Sequence, residues 1–372
     1  MKIGLLTTGF PRFEGDCSGS FLLSLARGVV EHGHEVRVLA PEPRRDRPAP
    51  RWPGIEVSWV PYARPRPLQQ TFYGSGAPDN LRLKPARWAG AASFSAALYH
   101  ASERQLADCD ALVSSWCVPS GWVASKTAAG RAHLCICHAT DIRLLSRMPG
   151  GGAVARGIAA GATSMWFLSD PLRDRFFETA GLHASTVASH VGPMPIEPPQ
   201  ALPESRSELR RRLGIDGFTL LCLGRLVPVK GFDRLLRAVA ALPDPICVRI
   251  AGDGPERGKL QDLAQRLGVH ATFEGWVAGA RKEALLRACD AIVVPSGPQD
   301  GLPTVLFEAK ARALPIIATR AGAIAEHLRD QADTLLVPPN DRAALGRAIL
   351  QLQAREATEQ ATEQATEQAL RA

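Results

Sequence analysis

The chain has 372 residues, 45% of them apolar and 22% charged, with a formal net charge of +7. That is ordinary globular composition, it is enough chain for two cores at roughly 100–200 residues per domain, and it excludes a disordered or fibrous protein. No run of 18 apolar residues occurs, so no transmembrane helix is expected, and eight cysteines without a C-x-x-C pair read as buried thiols of a reducing compartment, not as a disulfide framework.

In chain order, Lys2–Thr7 reads as a first strand, with no basic lead-in or long apolar segment of a signal peptide before it, so a cytoplasmic protein is expected. Phe21, Leu22, Leu25, Val29 and Val30 recur at helical spacing over 21–32, and Gly33 closes that helix. Strands follow at 35–40, 55–60, 111–115, 134–138 and 164–168. Within this half, Lys and Arg outnumber Asp and Glu by 21 to 15 over residues 1–195, against 23 to 22 in the remainder. Arg44, Arg45, Arg47, Arg51, Arg64, Arg66, Arg82, Lys84 and Arg87 carry much of the excess. No aromatic stacking motif is interleaved, so nucleic acid is not expected as a partner. An anionic acceptor or an anionic lipid surface fits the charge better, which would add a peripheral membrane location. A solvated basic face is the plain alternative.

Residues 193–205 are proline-rich and aperiodic, a linker between a domain over 1–192 and a second over 206–350. In the second domain strands at 219–224, 246–251, 271–274, 291–295, 315–319 and 334–337 alternate with helices at 231–241, 256–267, 281–288 and 304–313. Such alternation predicts α/β architecture: two doubly wound Rossmann-like domains, expected to face each other across a cleft, with ligands outside the carboxyl ends of the strands. Residues 351–372 end in an ATEQ repeat, a polar and partly helical extension without assigned function.

Four places in the second half point to one kind of ligand. Gly224-Arg225-Leu226-Val227-Pro228-Val229-Lys230-Gly231 lies between a strand and a helix, where Arg225 and Lys230 can reach a pyrophosphate. Two surface cations at a turn is the alternative. Ala251-Gly252-Asp253-Gly254-Pro255 is a tight glycine turn of common type. Phe273-Glu274-Gly275-Trp276-Val277 offers main-chain groups to a nucleobase edge, with Trp276 equally open to a packing role. In Pro295–Glu308, Asp300 precedes Gly301, Leu302, Pro303 and Thr304, and Glu308 follows within the next helix. The amides of Leu302–Val305 would seat a phosphate. Carboxylates repel phosphate and suit hydroxyls instead, Glu308 a ribose diol and Asp300 a sugar hydroxyl.

These segments, GRLVPVKG, AGDGP, FEGWV and DGLPTVLFEA, resemble glycosyltransferase family 4, the group 1 retaining enzymes of the GT-B fold, over roughly residues 1–350. The last matches the family's E-x7-E pattern with Asp300 in place of the first Glu, a side chain shorter by roughly 1.5 Å. The resemblance implies a nucleotide-diphosphate sugar as donor co-substrate, with no cofactor and no metal, and a hydroxyl acceptor that the sequence does not identify: a polysaccharide, a glycolipid or other lipid-linked acceptor, and a small-molecule glycoside all stay open. It assigns Arg225 and Lys230 to the diphosphate, Glu308 to the ribose, and Asp300 with the amides of Gly301, Leu302 and Pro303 to the donor sugar. In the first half, the loop 10–20 with Gly15, Ser18, Gly19 and Ser20 is similar to the family's glycine-rich loop, and Gly19 is the match. His138-Ala139-Thr140-Asp141 resembles the family's H-G-x-D, with His138 near the donor sugar. Asp141 reads as the N-cap of the following helix. Two other readings stay open: a binding scaffold without turnover, motivated by Asp300 and Ala139, and a GT-B nucleotide-sugar epimerase. A dehydrogenase is disfavoured because no G-x-G-x-x-G follows the first strand.

Overall fold

The structure is a computed structural model. It describes all residues except 14, 15, 17, 45–50, 74–76, 78, 79, 82, 83, 85 and 372, and only the backbone of 359–371. Gly15, Cys17, Arg45, Arg47 and Arg82 therefore lie outside the described residues. The chain divides into two compact units, Met1–Glu197 and Pro198–Ala372.

The first unit is a seven-stranded sheet in the order β3-β2-β1-β4-β5-β6-β7. Its strands are β1 (Lys2–Leu6), β2 (Glu35–Pro41), β3 (Ile55–Val60), β4 (Ala111–Ser115), β5 (Ala132–Cys137), β6 (Ser164–Phe167) and β7 (Ala188–Val191), all parallel. Parallel pairing demands crossovers. These include α1 (Ser20–Glu31), α2 (Arg87–Gln105), α3 (Trp122–Thr127), α4 (Ala139–Arg147), α5 (Gly151–Gly161) and α6 (Asp170–Ala180). Leu6, Leu39, Phe94, Leu98 and Leu112 form the core between sheet and helices, each contributing about 1.5–3 kcal/mol on burial. Apolar periodicity does not reveal α2, because over 19 residues it buries only Phe94, Leu98 and Ser102. The edge strand β7 is short and mostly exposed, so it carries no apolar run.

The second unit opens with α7 (Arg206–Leu213), whose start is a capping box. The Ser205 N–H donates to Glu208 Oε2 at 2.8 Å, and the Glu208 N–H donates to Ser205 Oγ at 3.3 Å. Its six-stranded parallel sheet runs β10-β9-β8-β11-β12-β13. The strands are β8 (Thr219–Leu223), β9 (Cys247–Ala251), β10 (Ala271–Gly275), β11 (Ala291–Val294), β12 (Ile316–Thr319) and β13 (Thr334–Val337). Between them lie α8 (Phe232–Val239), α9 (Arg257–Leu267), α10 (Gly279–Ala288), α11 (Val305–Lys310) and α12 (Ile324–His327). Leu235, Leu236 and Val239 of α8 pack with Leu220, Val248, Ile250, Val293 and Ile349 in one buried cluster. Helix α11 ends sooner than apolar spacing predicts. Ala313 turns to φ 50° and the Leu314 N–H donates to the Ala309 carbonyl at 3.1 Å, which closes the helix. The last helix, α13 (Arg342–Arg371), continues through the ATEQ repeat, whose Ala, Glu and Gln are good helix formers.

Each sheet has one switch point, where strand order reverses: between β1 and β4 in the first unit and between β8 and β11 in the second. Loops leaving those carboxyl ends diverge and leave a crevice for a ligand.

Candidate active site

Three of the four segments are sewn together by main-chain hydrogen bonds above the second switch point. The Gly224 N–H donates to the Ala251 carbonyl at 3.0 Å, Leu226 N–H to Asp253 at 2.9 Å, and Gly252 N–H to Gly275 at 2.7 Å. The fourth is tied in by Gly297 N–H, which donates to the Val229 carbonyl at 2.7 Å. Gly252 is obligatory in this arrangement: its φ is 144°, and a Cβ there would sit 1.8 Å from the Gly224 carbonyl oxygen. At Gly254 a Cβ would sit 2.4 Å from the Leu226 carbonyl oxygen. Gly252 and Gly254 thus let the loops approach one another, whereas a Cβ at Gly224 would meet nothing closer than 3.7 Å and its φ of 155° is what favours glycine there.

Lys230 and Asp300 meet at the centre. Lys230 Nζ donates to Asp300 Oδ2 at 2.8 Å, and Ser296 Oγ donates to the same oxygen at 2.6 Å. Both charged side chains are about five-sixths buried. The other carboxylate oxygen takes the Gly301 N–H at 3.2 Å. Arg225 is exposed on the same loop as Lys230. Two expectations for the next turn need correction. Pro303 has no N–H, so its amide cannot donate to a sugar. The Gly301 amide is engaged by Asp300 itself, because a carboxylate beside a free N–H in a partly buried loop closes that bond locally. Leu302 is buried, and the Thr304 carbonyl accepts from Glu308 N–H at 3.1 Å.

Glu308 is buried, and its Oε2 has no hydrogen-bond partner. Lys282 Nζ of α10 stands 3.4 Å from that oxygen. That ion pair compensates the charge but leaves the oxygen's hydrogen-bonding capacity unfilled, room for a hydroxyl donor. The helix carrying Glu308 is braced by a buried ion pair. Arg312 Nη2 contacts Glu283 Oε2 at 2.5 Å, and Arg312 Nη1 donates to the Glu308 carbonyl at 2.8 Å. Neither Arg312 nor Glu283 is visible as a site residue in the sequence, because their partnership spans α10 and the turn after α11. Trp276 is 42% exposed, which removes the core-packing reading for it, whereas Val277 is buried.

In the first unit Gly19 caps α1 at φ 73°, and a Cβ there would lie 2.4 Å from the Gly9 carbonyl oxygen. His138 stands at the end of β5. Its Nε2 lies 3.0 Å from Ser115 Oγ, and the rings of Phe21 and Trp116 lie 5.4 and 5.6 Å away. Burial pushes the imidazole down to about 4, so it is neutral near pH 7. Ser115, at the β4 switch-point end, escapes sequence reading because no motif marks it. Asp141 is not the N-cap: α4 starts at Ala139, with His138 in the cap position. The buried Asp141 carboxylate instead accepts the N–H groups of His138 at 2.9 Å and Cys117 at 2.6 Å, and burial raises it to about 7. All seven described cysteines are free. Three of them, Cys117, Cys135 and Cys137, converge, which their sequence spacing does not show.

Cations and a glycine-framed loop over one switch point, with a half-satisfied carboxylate in the adjacent helix, define the class: a nucleotide-sugar-dependent glycosyltransferase of the GT-B fold. Residues 217–355 match the family model of glycosyl transferases group 1, and residues 18–189 match the glycosyl transferase 4-like domain. The chain belongs to the group 1 glycosyltransferases. It is 26% identical over 370 residues to TuaC of Bacillus subtilis, a glycosyltransferase assigned to teichuronic acid biosynthesis, covering 95% of this chain and 89% of that one. It is 31% identical over 219 residues to the GDP-mannose-dependent phosphatidylinositol monomannoside mannosyltransferase of Mycobacterium tuberculosis, 56% of this chain and 57% of that one. With an exopolysaccharide phosphotransferase of Streptomyces coelicolor it shares 37% identity over 163 residues, 43% of this chain but only 17% of that relative's length. Among solved structures, HepE of Anabaena in complex with UDP and glucose shares the fold, with a TM-score of 0.68 at 19% identity over 94% of this chain and 89% of that one.

Proposed function

We propose that the protein transfers a glycosyl group from a nucleotide-diphosphate sugar to a hydroxyl acceptor, with retention at the anomeric carbon and without a metal ion. The observation that carries the reading is the Lys230–Asp300 pair, together with a buried Glu308 Oε2 that accepts no hydrogen bond and has only the Lys282 ammonium at 3.4 Å. In this reading Lys230 and Arg225 bind the diphosphate, Glu308 takes a ribose hydroxyl, and Asp300, freed from Lys230, takes a hydroxyl of the donor sugar. The bond from the anomeric carbon to the β-phosphate oxygen breaks as the acceptor oxygen bonds to the same face. The acceptor proton passes to the leaving phosphate, and the two cations stabilise the charge developing there. Positive groups do the work that a divalent ion does in other transferases. His138, neutral and held near Ser115, serves the donor sugar as a hydrogen-bonding group.

Calorimetry with UDP-, GDP- and ADP-sugars on the wild type and on Glu308→Ala tests the site. Binding of one donor, weakened about tenfold or more in the variant, is expected; no binding to any of them moves the reading to a scaffold. The anomeric configuration of the product, read by NMR, tests retention, and unchanged turnover in EDTA tests metal independence.

A polysaccharide or glycolipid precursor is the acceptor class we propose, on the strength of the relatives' named pathways. Among the basic residues of segment 41–87, Arg44, Arg51, Arg64 and Lys84 are exposed. Arg66 and Arg87 instead hold the fold: Arg66 Nε donates to the Pro43 carbonyl at 2.9 Å and Arg87 Nη1 to Asn80 Oδ1 at 3.0 Å. The four exposed cations face an anionic acceptor or lipid surface in this reading. Equal sedimentation with anionic vesicles, and equal activity, after neutralising all four would refute that part.

A further inference from the structure

Three buried sulfur atoms meet at one point in the first unit. Cys135 and Cys137 are two residues apart on β5 and so share one face of the sheet. Their Sγ atoms are 3.9 Å apart. The turn after β4 brings Cys117 to the same place. Trp116 adopts φ 80° there, and its N–H donates to the Ile136 carbonyl at 2.9 Å, pinning the turn to β5. All three Sγ atoms lie within 4.8 Å of one another. Room for them is kept by Gly121, where a Cβ would come within 2.8 Å of Cys135 Sγ.

We propose that Cys117, Cys135 and Cys137 form a binding site for a soft monovalent cation of the Cu(I) class. Three thiolates about 2.3 Å from an ion stand about 4 Å apart in a trigonal set, and the Cys135–Cys137 separation already matches that. Sulfur donors select thiophilic ions over Mg or Ca. Structural zinc takes four ligands, and among the described residues no His, Asp or Glu ligand atom joins the three sulfurs. Asp141, the nearest acid in the sequence, has its carboxylate committed to the Cys117 and His138 N–H groups. Binding exchanges thiol protons for the cation, with S–H bonds replaced by S–Cu bonds and no change of oxidation state. All three sulfurs are fully buried, so entry requires local opening of the turn that carries Cys117.

The test uses the reduced full chain under anaerobic conditions, with Cu(I) supplied in competition with a chromophoric chelator. One ion per chain is expected, with a sulfur-only first shell by X-ray absorption. Affinity should fall at least about 100-fold in Cys135→Ser and persist in Cys247→Ser, whose thiol lies in the other unit. Should Cys135→Ser fail to fold, Cys117→Ser is read in its place, and the wild-type shell needs no variant. No uptake by the wild type, nitrogen or oxygen in the shell, or uptake unchanged by these substitutions would each overturn the proposal. Zn(II) held in a complete four-ligand shell at these cysteines would overturn its ion class.

Discussion

Lys230 Nζ and Asp300 Oδ2 lie 2.8 Å apart, joined across 70 residues of chain by the loops that leave β8 and β11. The pair holds a cation and an anion together in a partly buried place. In the proposed function a diphosphate would compete for the lysine, and a sugar hydroxyl would replace the lysine at the aspartate.

A double-mutant cycle follows from that geometry. Lys230→Met should lower kcat/KM by about 10²–10³, the cost of removing a group that stabilises transition-state charge. Asp300→Asn should cost less, because Lys230 remains for the phosphate. The double variant should be less impaired than the product of the single effects, since the two side chains contact each other. Strictly multiplicative losses in steady-state rates would mean that the pair has no functional coupling.

Arg312 and Glu283 are both almost fully buried. Losing one partner leaves the other charged and dry, so Arg312→Leu should destabilise the protein by about 3–5 kcal/mol. Pairing it with Glu283→Leu should restore much of that loss. Urea unfolding of the three variants measures it. Because Arg312 also holds the Glu308 carbonyl, donor affinity should fall in the single variant even where it remains folded.

Gly252→Ala forces a methyl carbon against the Gly224 carbonyl and a strained φ. A loss of about 1–3 kcal/mol or more is expected, together with loss of donor binding as the loops separate. Gly28→Ala in α1 meets nothing within 4 Å and should gain about 0.5–1 kcal/mol from helix propensity. Thermal melts that rank the two variants the other way would contradict the loop packing.

His138 and Asp141 oppose each other in their pH dependence. Asp141 is raised to about 7, against about 3.9 in an unfolded chain. The fold therefore holds its proton more tightly, and this stabilisation is lost as pH rises from about 4 to 7. His138 is lowered to about 4, against about 6.5 unfolded. Here the unfolded chain binds the proton more tightly, so stability rises over about pH 4 to 6.5. Together they should nearly cancel. His138→Gln should leave stability falling with pH across that window and Asp141→Asn should leave it rising, each by on the order of 3 kcal/mol. Parallel profiles of unfolding free energy for all three proteins would remove both assignments.

Much of the architecture is legible in the order of residues. Short Val-, Ile- and Leu-rich runs alternating with amphipathic stretches declare parallel sheets, since strands buried on both faces must be apolar throughout. The segments GRLVPVKG and DGLPTVLFEA stand out in the sequence as a candidate phosphate and hydroxyl site because their charges stand where strands end. Elements without a strong apolar period, such as α2 and β7, stay hidden, because tertiary contacts and not local pattern hold them.

Only the tertiary structure decides which of those charges touch. It pairs Lys230 with Asp300, sets Glu308 Oε2 in an ion pair with Lys282 but without a hydrogen bond, assigns the Gly301 amide to its neighbour and makes His138, not Asp141, the cap of α4. It also gathers Cys117 to Cys135 and Cys137 from a different strand end. Hydrophobic periodicity is a local property that one strand or helix displays by itself. A hydrogen bond or a ligand set depends on distances of a few ångströms between distant segments, and those exist only once the sheets have formed.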